Sequence, residues 1–391
     1  MIDNSKIYSS PFELLQKIKE EAEHTQMPVE KAKGAEPLVP TGEFFECVRA
    51  SDHSVVLIPP MTTLPMLFRG EEREFEVSRP SLYRRPLQQV DYLVEKLKVC
   101  EMAVLLSRHP YVRKFVEQFH NWKIEIPAEG LAQHYGIKTP LMDFTSDPQV
   151  AFFFATCHYD SATDEYKICE SGEHIGVFYM MNPMLATTGR VSQNEPTIFN
   201  DFISIIGGQP FSRPTCQRGY TVRLKESEAL SNISGCYKFL FKYNQDDSMK
   251  FYNLYEQGRK LWTKDYITEK ASKIATKTIF SEASLVKLKC YLKQLGYNYR
   301  QMELANLLSA NNIEFNDRLC DVDYNQEECE KLERENSNIT IKYRKQIQAE
   351  DGHMYISGCF LDFNDQVDIN SIVHIHLFGL LHLLRSFYLA Q

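Results

Sequence analysis

Gln133-His134-Tyr135-Gly136-Ile137-Lys138-Thr139-Pro140-Leu141-Met142-Asp143-Phe144-Thr145, running on into Val150-Ala151-Phe152-Phe153-Phe154-Ala155, decides how this chain folds. Gly136 and Pro140 bracket a turn behind a helix that carries His134 and Tyr135. Leu141–Thr145 then reads as a short strand. Asp147 followed by Pro148 supplies an N-cap and a first-turn proline for the next, aromatic helix. The odd residue is Asp143, set among apolar neighbours where an unpaired carboxylate would be costly to bury. It needs a partner, and Arg69 or His134 are the natural choices.

Arg69 lies in the second informative stretch, Leu67-Phe68-Arg69-Gly70, an apolar strand that meets a guanidinium and then a glycine. Arg73, Arg79, Arg84 and Arg85 follow in a window free of lysine. Repeated arginine suits bidentate phosphate recognition better than general charge attraction. Glu71, Glu72, Glu74 and Glu76 are interleaved, so a salt-bridged surface is the competing reading, and for Arg73 the better one.

Outward from these stretches, Pro11 opens an amphipathic helix with Phe12, Leu15, Ile18 and Ala22 at helical spacing. Residues 27–42 read as a loop. Phe44–Ala50, Ser54–Ile58, Leu64–Gly70, Ile175–Met181, Ile203–Gly208, Gln217–Leu224 and Tyr237–Phe241 read as strands. Leu87–Phe119 carries two helices broken near His109-Pro110. Beyond Met249 the pattern turns helical, with a start at Ser281-Glu282-Ala283-Ser284, a stop at Gly296 and a further helix over Gln301–Leu308. The expected fold is therefore α+β: a mixed or antiparallel sheet core with flanking helices and a helical C-terminal part. The expected organisation is an N-terminal helix and loop (1–39), an α+β domain (40–245), a helical extension (246–317) and a C-terminal segment without an assigned role (318–391).

A chain of 391 residues that is 43% hydrophobic can bury one large core or two moderate ones. Its formal charge of −8 argues against nucleic-acid binding through bulk charge. The N-terminus has no basic region and apolar run of the secretory kind, so a cytoplasmic protein is expected. The ten cysteines are scattered, with no Cys-x-x-Cys pair and no compact Cys/His set, so reduced thiols and no metal site are expected. The apolar run 372–385 carries His374, His376, His382 and Arg385. It is too polar for a membrane span and reads as an amphipathic helix for the domain or a protein partner.

His134 could move a proton or bond a ribose or phosphate, or simply satisfy carbonyls at the turn. Thr145 and Ser146 place hydroxyls at the mouth of a helix whose dipole favours anions, although Asp147 partly spoils that position. Gln217, in Arg213-Pro214-Thr215-Cys216-Gln217-Arg218-Gly219-Tyr220, is a candidate partner for a ribose. Phe152-Phe153-Phe154 is chiefly core. No Walker loop, dinucleotide glycine fingerprint, nucleophile elbow or zinc-protease helix occurs.

Phe68-Arg69-Gly70, Arg79-Pro80-Ser81-Leu82-Tyr83-Arg84, Gln133-His134-Tyr135-Gly136, Thr139 to Thr145 and Ala151 to Ala155 together resemble the FRG domain, named for its Phe-Arg-Gly motif. The resemblance is strongest over residues 40–160. It departs in one place: where the family commonly has Thr-Arg-Leu-Leu-Asp-Trp-Thr, Pro140 stands for the arginine and Phe144 for the tryptophan. The resemblance implies a bacterial protein of mobile elements, in a toxin or phage-defence setting.

The layout is also similar to that of ADP-ribosyltransferases, which implies NAD as cofactor and either transfer of ADP-ribose to a macromolecular acceptor or hydrolysis of NAD. On that likeness Arg69, His134, Asp143 and Thr145 would be catalytic. Arg69, Arg84, Tyr135, Thr145, Ser146 and Gln217 would hold the cofactor. The glutamate expected on the late strand is absent, with Gln217 or Gly219 in its place. The alternative is therefore a module that binds a nucleotide or phosphorylated small molecule without chemistry. A third reading gives the polar motifs a purely structural role.

Overall fold

The computed structural model describes residues 3–25, 44–49, 54–58, 66–110, 112–113, 123–124, 127–169, 175–191, 202–206, 211–264, 266–317, 322–335, 340–348 and 354–362. The expected loop at 27–42 and the apolar run 372–385 lie outside these residues. In chain order the strands are β1 (Ile7–Tyr8), β2 (Phe44–Arg49), β3 (Ser54–Ile58), β4 (Leu67–Glu71), β5 (Lys123–Ile124) and β6 (Leu141–Thr145). They continue with β7 (Cys157–Asp160), β8 (Glu165–Ile168), β9 (Ile175–Met181), β10 (Ile203–Ile205), β11 (Gly219–Arg223) and β12 (Cys236–Lys242).

Leu67 and Phe68 point to opposite sides of β4, and each enters its own core. Leu67 joins Met142, Phe144, Tyr179 and Val222 on one face of the sheet. Phe68 joins Phe152, Phe178, Phe239 and Phe241 on the other. A strand buried on both faces must be central, and β4 is. The seven-stranded sheet runs β1-β12-β9-β4-β6-β11-β10, mixed because β1 lies parallel to β12 while the other pairs are antiparallel. The fold is the expected α+β.

The sheet is nearly two sheets. β4 is paired with β9 from Leu67 through Glu71, and β6 with β11 from Leu141 through Thr145. Between β4 and β6 the register holds only at Phe68↔Thr145. Beyond that point the strands part, and the seam they leave is where Arg69 begins.

The helix Pro148–Thr156 covers the phenylalanine face. Asp147 caps it by accepting from the Gln149 amide at 2.9 Å, with Pro148 in the first turn. Phe152 stacks on Phe178 with centroids 4.3 Å apart. The helix crosses β4 at Gly70, where an added Cβ would stand 1.8 Å from the Ala151 carbonyl oxygen and 2.8 Å from the Ala155 Cβ. The glycine of Phe-Arg-Gly and two alanines one turn apart are thus one packing device.

The helix Ala128–His134 ends in a Schellman motif: Gly136 N–H donates to Gln133 O at 3.0 Å and Ile137 N–H to Ala132 O at 2.9 Å. Gly136 has φ +89°, the left-handed conformation this stop requires.

Helices Gln245–Leu254, Tyr266–Thr276, Glu282–Gln294 and Gln301–Ser309 form the expected helical region, and Ser281 caps the third of them. Two short strands, β13 (Ile279–Ser281) and β14 (Glu314–Asn316), pair in parallel among them. This region packs on the long helix Gln89–Ser107 through Leu93, Leu97, Phe280, Leu285 and Leu288. Buried Glu101 reinforces the joint by accepting from Lys277 Nζ (2.6 Å) and from the Ser281 hydroxyl (2.6 Å) and amide (3.1 Å).

β2 and β3, which the sequence groups with the central domain, pair outside the main sheet. They belong to a five-stranded sheet with β5, β15 (Thr340–Gln348) and β16 (Met354–Asp362), in the order β15-β16-β2-β3-β5. The described end of the chain is therefore a hairpin returning to the N-terminal strands.

Candidate functional site

Arg69 turns into the seam. Its Nη1 donates to the Asp143 backbone carbonyl at 2.9 Å, taking the place of the missing ladder bond, and its Nε donates to Glu71 Oε1 at 3.0 Å. Glu71 is the next residue on the same side of β4 and is buried. The Ser78 hydroxyl also donates to Glu71 Oε1, at 2.5 Å.

On the β6 side, Gln133 is the hub. Its Oε1 accepts from the Thr139 hydroxyl at 2.6 Å and from the Ser81 hydroxyl at 3.3 Å, and its Nε2 donates to Asp143 Oδ2 at 3.4 Å. The 3-10 turn Ser81–Tyr83 is held down by these bonds and by Leu82 N–H donating to Thr139 O. His134 Nε2 stands 3.3 Å from Asp143 Oδ1, close enough for an ion pair but misaligned for a hydrogen bond. Both candidate partners of Asp143 are therefore present, Arg69 at its backbone and His134 at its carboxylate.

Arg84 is exposed and donates to the Arg79 carbonyl at 3.4 Å. Partial burial of its guanidinium, then repulsion from Arg69, lower its pKa, while Glu71 and Asp143 oppose the shift. Arg84 thus lies within electrostatic reach of the cluster.

Three buried atoms here have no hydrogen-bond partner: Glu71 Oε2, His134 Nε2 and Asp143 Oδ1. Buried polar atoms are nearly always satisfied, so a group of orphans marks a place for water or ligand. The group is mixed: two carboxylate acceptors and one imidazole nitrogen, beside the guanidinium of Arg69.

Thr145 and Gln217 stand apart from it. The Thr145 hydroxyl donates to the Gln217 carbonyl at 2.7 Å and accepts from the Asp147 amide at 3.0 Å. Gln217 is buried and donates its amide to Leu261 O at 2.8 Å. Ser146 binds the Arg218 carbonyl through its backbone amide. These three hold β6, β11 and the Pro148 helix together.

Tyr135 faces elsewhere. Its ring lies 5.0 Å from the Arg213 guanidinium and lines a cavity of about 810 Å³ shared with Gly136, Trp262 and Tyr266. That cavity includes neither Arg69 nor Asp143. Two of its lining residues are already committed to one another, since Arg213 lies over Trp262, and Arg213 also donates to the His134 carbonyl. The orphaned cluster, not this cavity, is the better candidate site.

Glu71, Ser78 and Gln133 belong to the cluster without having been singled out as site residues. Glu71 was readable, being two residues from Arg69 on one strand. Gln133 was not, because its bond to Ser81 spans 52 positions.

Burial lowers the pKa of His134; the Asp143 carboxylate opposes this and the Arg213 guanidinium adds to it. The imidazole is therefore neutral at neutral pH. An unfolded chain takes up this proton near 6.5, before the folded one does. Its contribution to stability is thus present above that value and lost as pH falls through the folded pKa. Lowering pH from about 7.5 to 5.5 should depress Tm more in the wild type than in His134→Gln. Equal pH dependence in the two proteins would contradict the buried, neutral assignment.

A mixed seven-stranded sheet with an arginine–carboxylate–imidazole cluster at its seam defines an α+β domain with a polar interior site. Residues 65–164 match the family model described as the FRG domain, and the chain is an FRG domain-containing protein. The matched span holds every residue of the cluster, from Arg69 to Asp143. No curated protein matches the chain, and no solved structure matches it. Among the described residues no helix is long and apolar enough to cross a membrane.

Proposed function

We propose that the β4–β6 seam binds a nucleotide through its phosphorylated ribose, with NAD the first candidate. The observation that carries this reading is the mixed character of the orphaned atoms. A bare anion would satisfy Arg84 but leave Glu71 Oε2 and Asp143 Oδ1 facing like charge. A ligand with hydroxyls beside a phosphate answers both, since hydroxyls donate to carboxylates while phosphate oxygens accept from guanidinium groups. Arg69 is pre-ordered by its bonds to Glu71 and to the Asp143 carbonyl, which lowers the cost of organising the site.

The test is thermal unfolding with NAD, ADP-ribose, ribose 5-phosphate and inorganic phosphate in turn. A ligand at about a hundred times its Kd adds about 2.7 kcal/mol and raises Tm measurably. The expected order is the nucleotides above ribose 5-phosphate, with phosphate weakest. No rise across the whole panel would refute the reading.

A second reading, cleavage of the nicotinamide–ribose bond as in ADP-ribosyltransferases and NAD hydrolases, is favoured by the Asp143–His134 contact. A carboxylate at the ribose could stabilise a cationic transition state, and a neutral imidazole could take a proton from the acceptor. Against it, Thr145 and Gln217, which that layout would place around the cofactor, are bonded within the fold. Nicotinamide release from NAD, lost in Asp143→Asn, would support cleavage; binding without release would leave the domain a nucleotide-binding module. A bacterial toxin or defence role goes with the cleavage reading.

A further inference from the structure

Glu72, His158 and Cys169 offer one ligand atom each within 4.8 Å of one another. They come from three places in the chain, and the fold gives a reason for each. Glu71, the last residue of β4, turns toward Arg69; Glu72, the first residue beyond the strand, lies with His158 and Cys169 on the side of β4 covered by the Pro148 helix, where Tyr243 contacts both its carbonyl and that of Ala155. In the hairpin His158 is opposite Lys167, and the Cys169 amide extends the ladder by donating to Thr156 O at 2.9 Å. His158 and Cys169 are therefore diagonal neighbours on one face, with Nδ1 and Sγ 3.9 Å apart. All three residues are partly buried, neither sealed in the core nor free on the surface. The Tyr243 hydroxyl anchors the group, its one proton lying between the Glu72 and Ala155 carbonyls.

We propose that Glu72, His158 and Cys169 form a binding site for a divalent cation of the zinc class. Thiolate, imidazole and carboxylate together select a borderline metal over magnesium or calcium, which take oxygen ligands. Bond lengths of about 2.3 Å to sulfur and 2.0 Å to nitrogen across a tetrahedral angle give an S···N separation near 3.5 Å. The 3.9 Å observed needs only a small adjustment. Three protein ligands leave a fourth position for water. The Cys169 thiol proton goes to solvent as the metal–sulfur bond forms, and no oxidation state changes. The site ties the end of β4 to the β7–β8 hairpin one residue from Glu71. It is independent of the nucleotide reading, because it lies on the other face of the strand.

The spacing hid this group, since its members stand at positions 72, 158 and 169, with no short motif joining them.

The test is titration of the full-length, chelator-treated and reduced protein with Co²⁺, followed by displacement with Zn²⁺. A near-ultraviolet thiolate-to-cobalt band should appear, saturate at one equivalent per chain and vanish as Zn²⁺ is added. Cys169→Ser should abolish the band. His158→Gln should weaken Zn²⁺ binding by at least the ~10–100-fold that loss of a supporting partner costs. Both positions are partly exposed, and retained far-ultraviolet circular dichroism would verify the fold of each variant. No band in the wild type, a band that survives Cys169→Ser, or unchanged affinity in a folded His158→Gln would each overturn the proposal.

Discussion

Glu129→Ala should destabilise the protein by about 3–5 kcal/mol, the usual result of leaving a buried charge without its partner. Glu129 sits in the first turn of the helix that carries Gln133 and His134. Its two oxygens pair with Lys96, from the helix Gln89–Ser107, and with Arg223, from β11. Burial would raise its pKa, but the two cations overcome that and hold it down to about 2. The stability it supplies is therefore present above about 4.5 and lost as pH falls toward 2. Lys96 is only 6% exposed, so removing the carboxylate strands an ammonium in the interior. Replacing the two buried members of this triad together, as Lys96→Met with Glu129→Met, should cost far less than Glu129→Ala, because apolar residues of similar size need no partner and Arg223, 36% exposed, keeps its contact with solvent. Urea unfolding of the two variants makes the comparison. A double variant as unstable as the single one would remove the charge argument and leave only packing.

Gly70→Ala is the second large effect, and it acts on the joint between sheet and helix. The new methyl group would stand 1.8 Å from the Ala151 carbonyl oxygen, which belongs to a helical backbone and cannot rotate aside. The Pro148 helix would have to lift from β4, pulling Phe152 off Phe178 and opening the core beneath. Overpacking typically costs about 1–3 kcal/mol, and a clash with backbone belongs at or above the upper end. Trimming the second neighbour, as Gly70→Ala with Ala155→Gly, should not restore stability, since the nearer obstacle remains. Recovery of wild-type stability in that pair would show that side-chain crowding governs the contact.

Such local devices were legible in the sequence. Asp147-Pro148 announces its helix because cap and first-turn proline act within a few residues. Gly136 announces a stop because the left-handed turn it enables is equally local. Ile175–Met181 is found with its ends correct because a strand buried on both faces leaves an unbroken apolar run. The β7–β8 hairpin was not found, because Cys157–Asp160 follows its helix without a break and its alternation is weak.

The site was half legible for the same reason. Asp143 betrays itself by being polar in an apolar strand, and Arg69 does likewise. Their relation is not a side-chain ion pair, however: Arg69 takes the backbone carbonyl of Asp143 because β4 and β6 separate there, a fact of sheet geometry no local pattern carries. Thr145 looks available in sequence, yet its hydroxyl is bonded to the carbonyl of a residue 72 positions away. Gln217 likewise spends its amide on Leu261, in the loop beyond the Gln245–Leu254 helix.

The claim that matters most is that the orphaned donors and acceptors at the seam share one ligand. Calorimetric titration of NAD into the wild type, Arg84→Ala and Asp143→Asn tests it directly. These two side chains are the accessible members of the cluster, so the variants should fold and melt near the wild type. The expected result is one saturable site, weakened about tenfold or more in each variant, the value of one hydrogen bond to a charged group. Binding left unchanged by both substitutions, or no binding by the wild type, would contradict it.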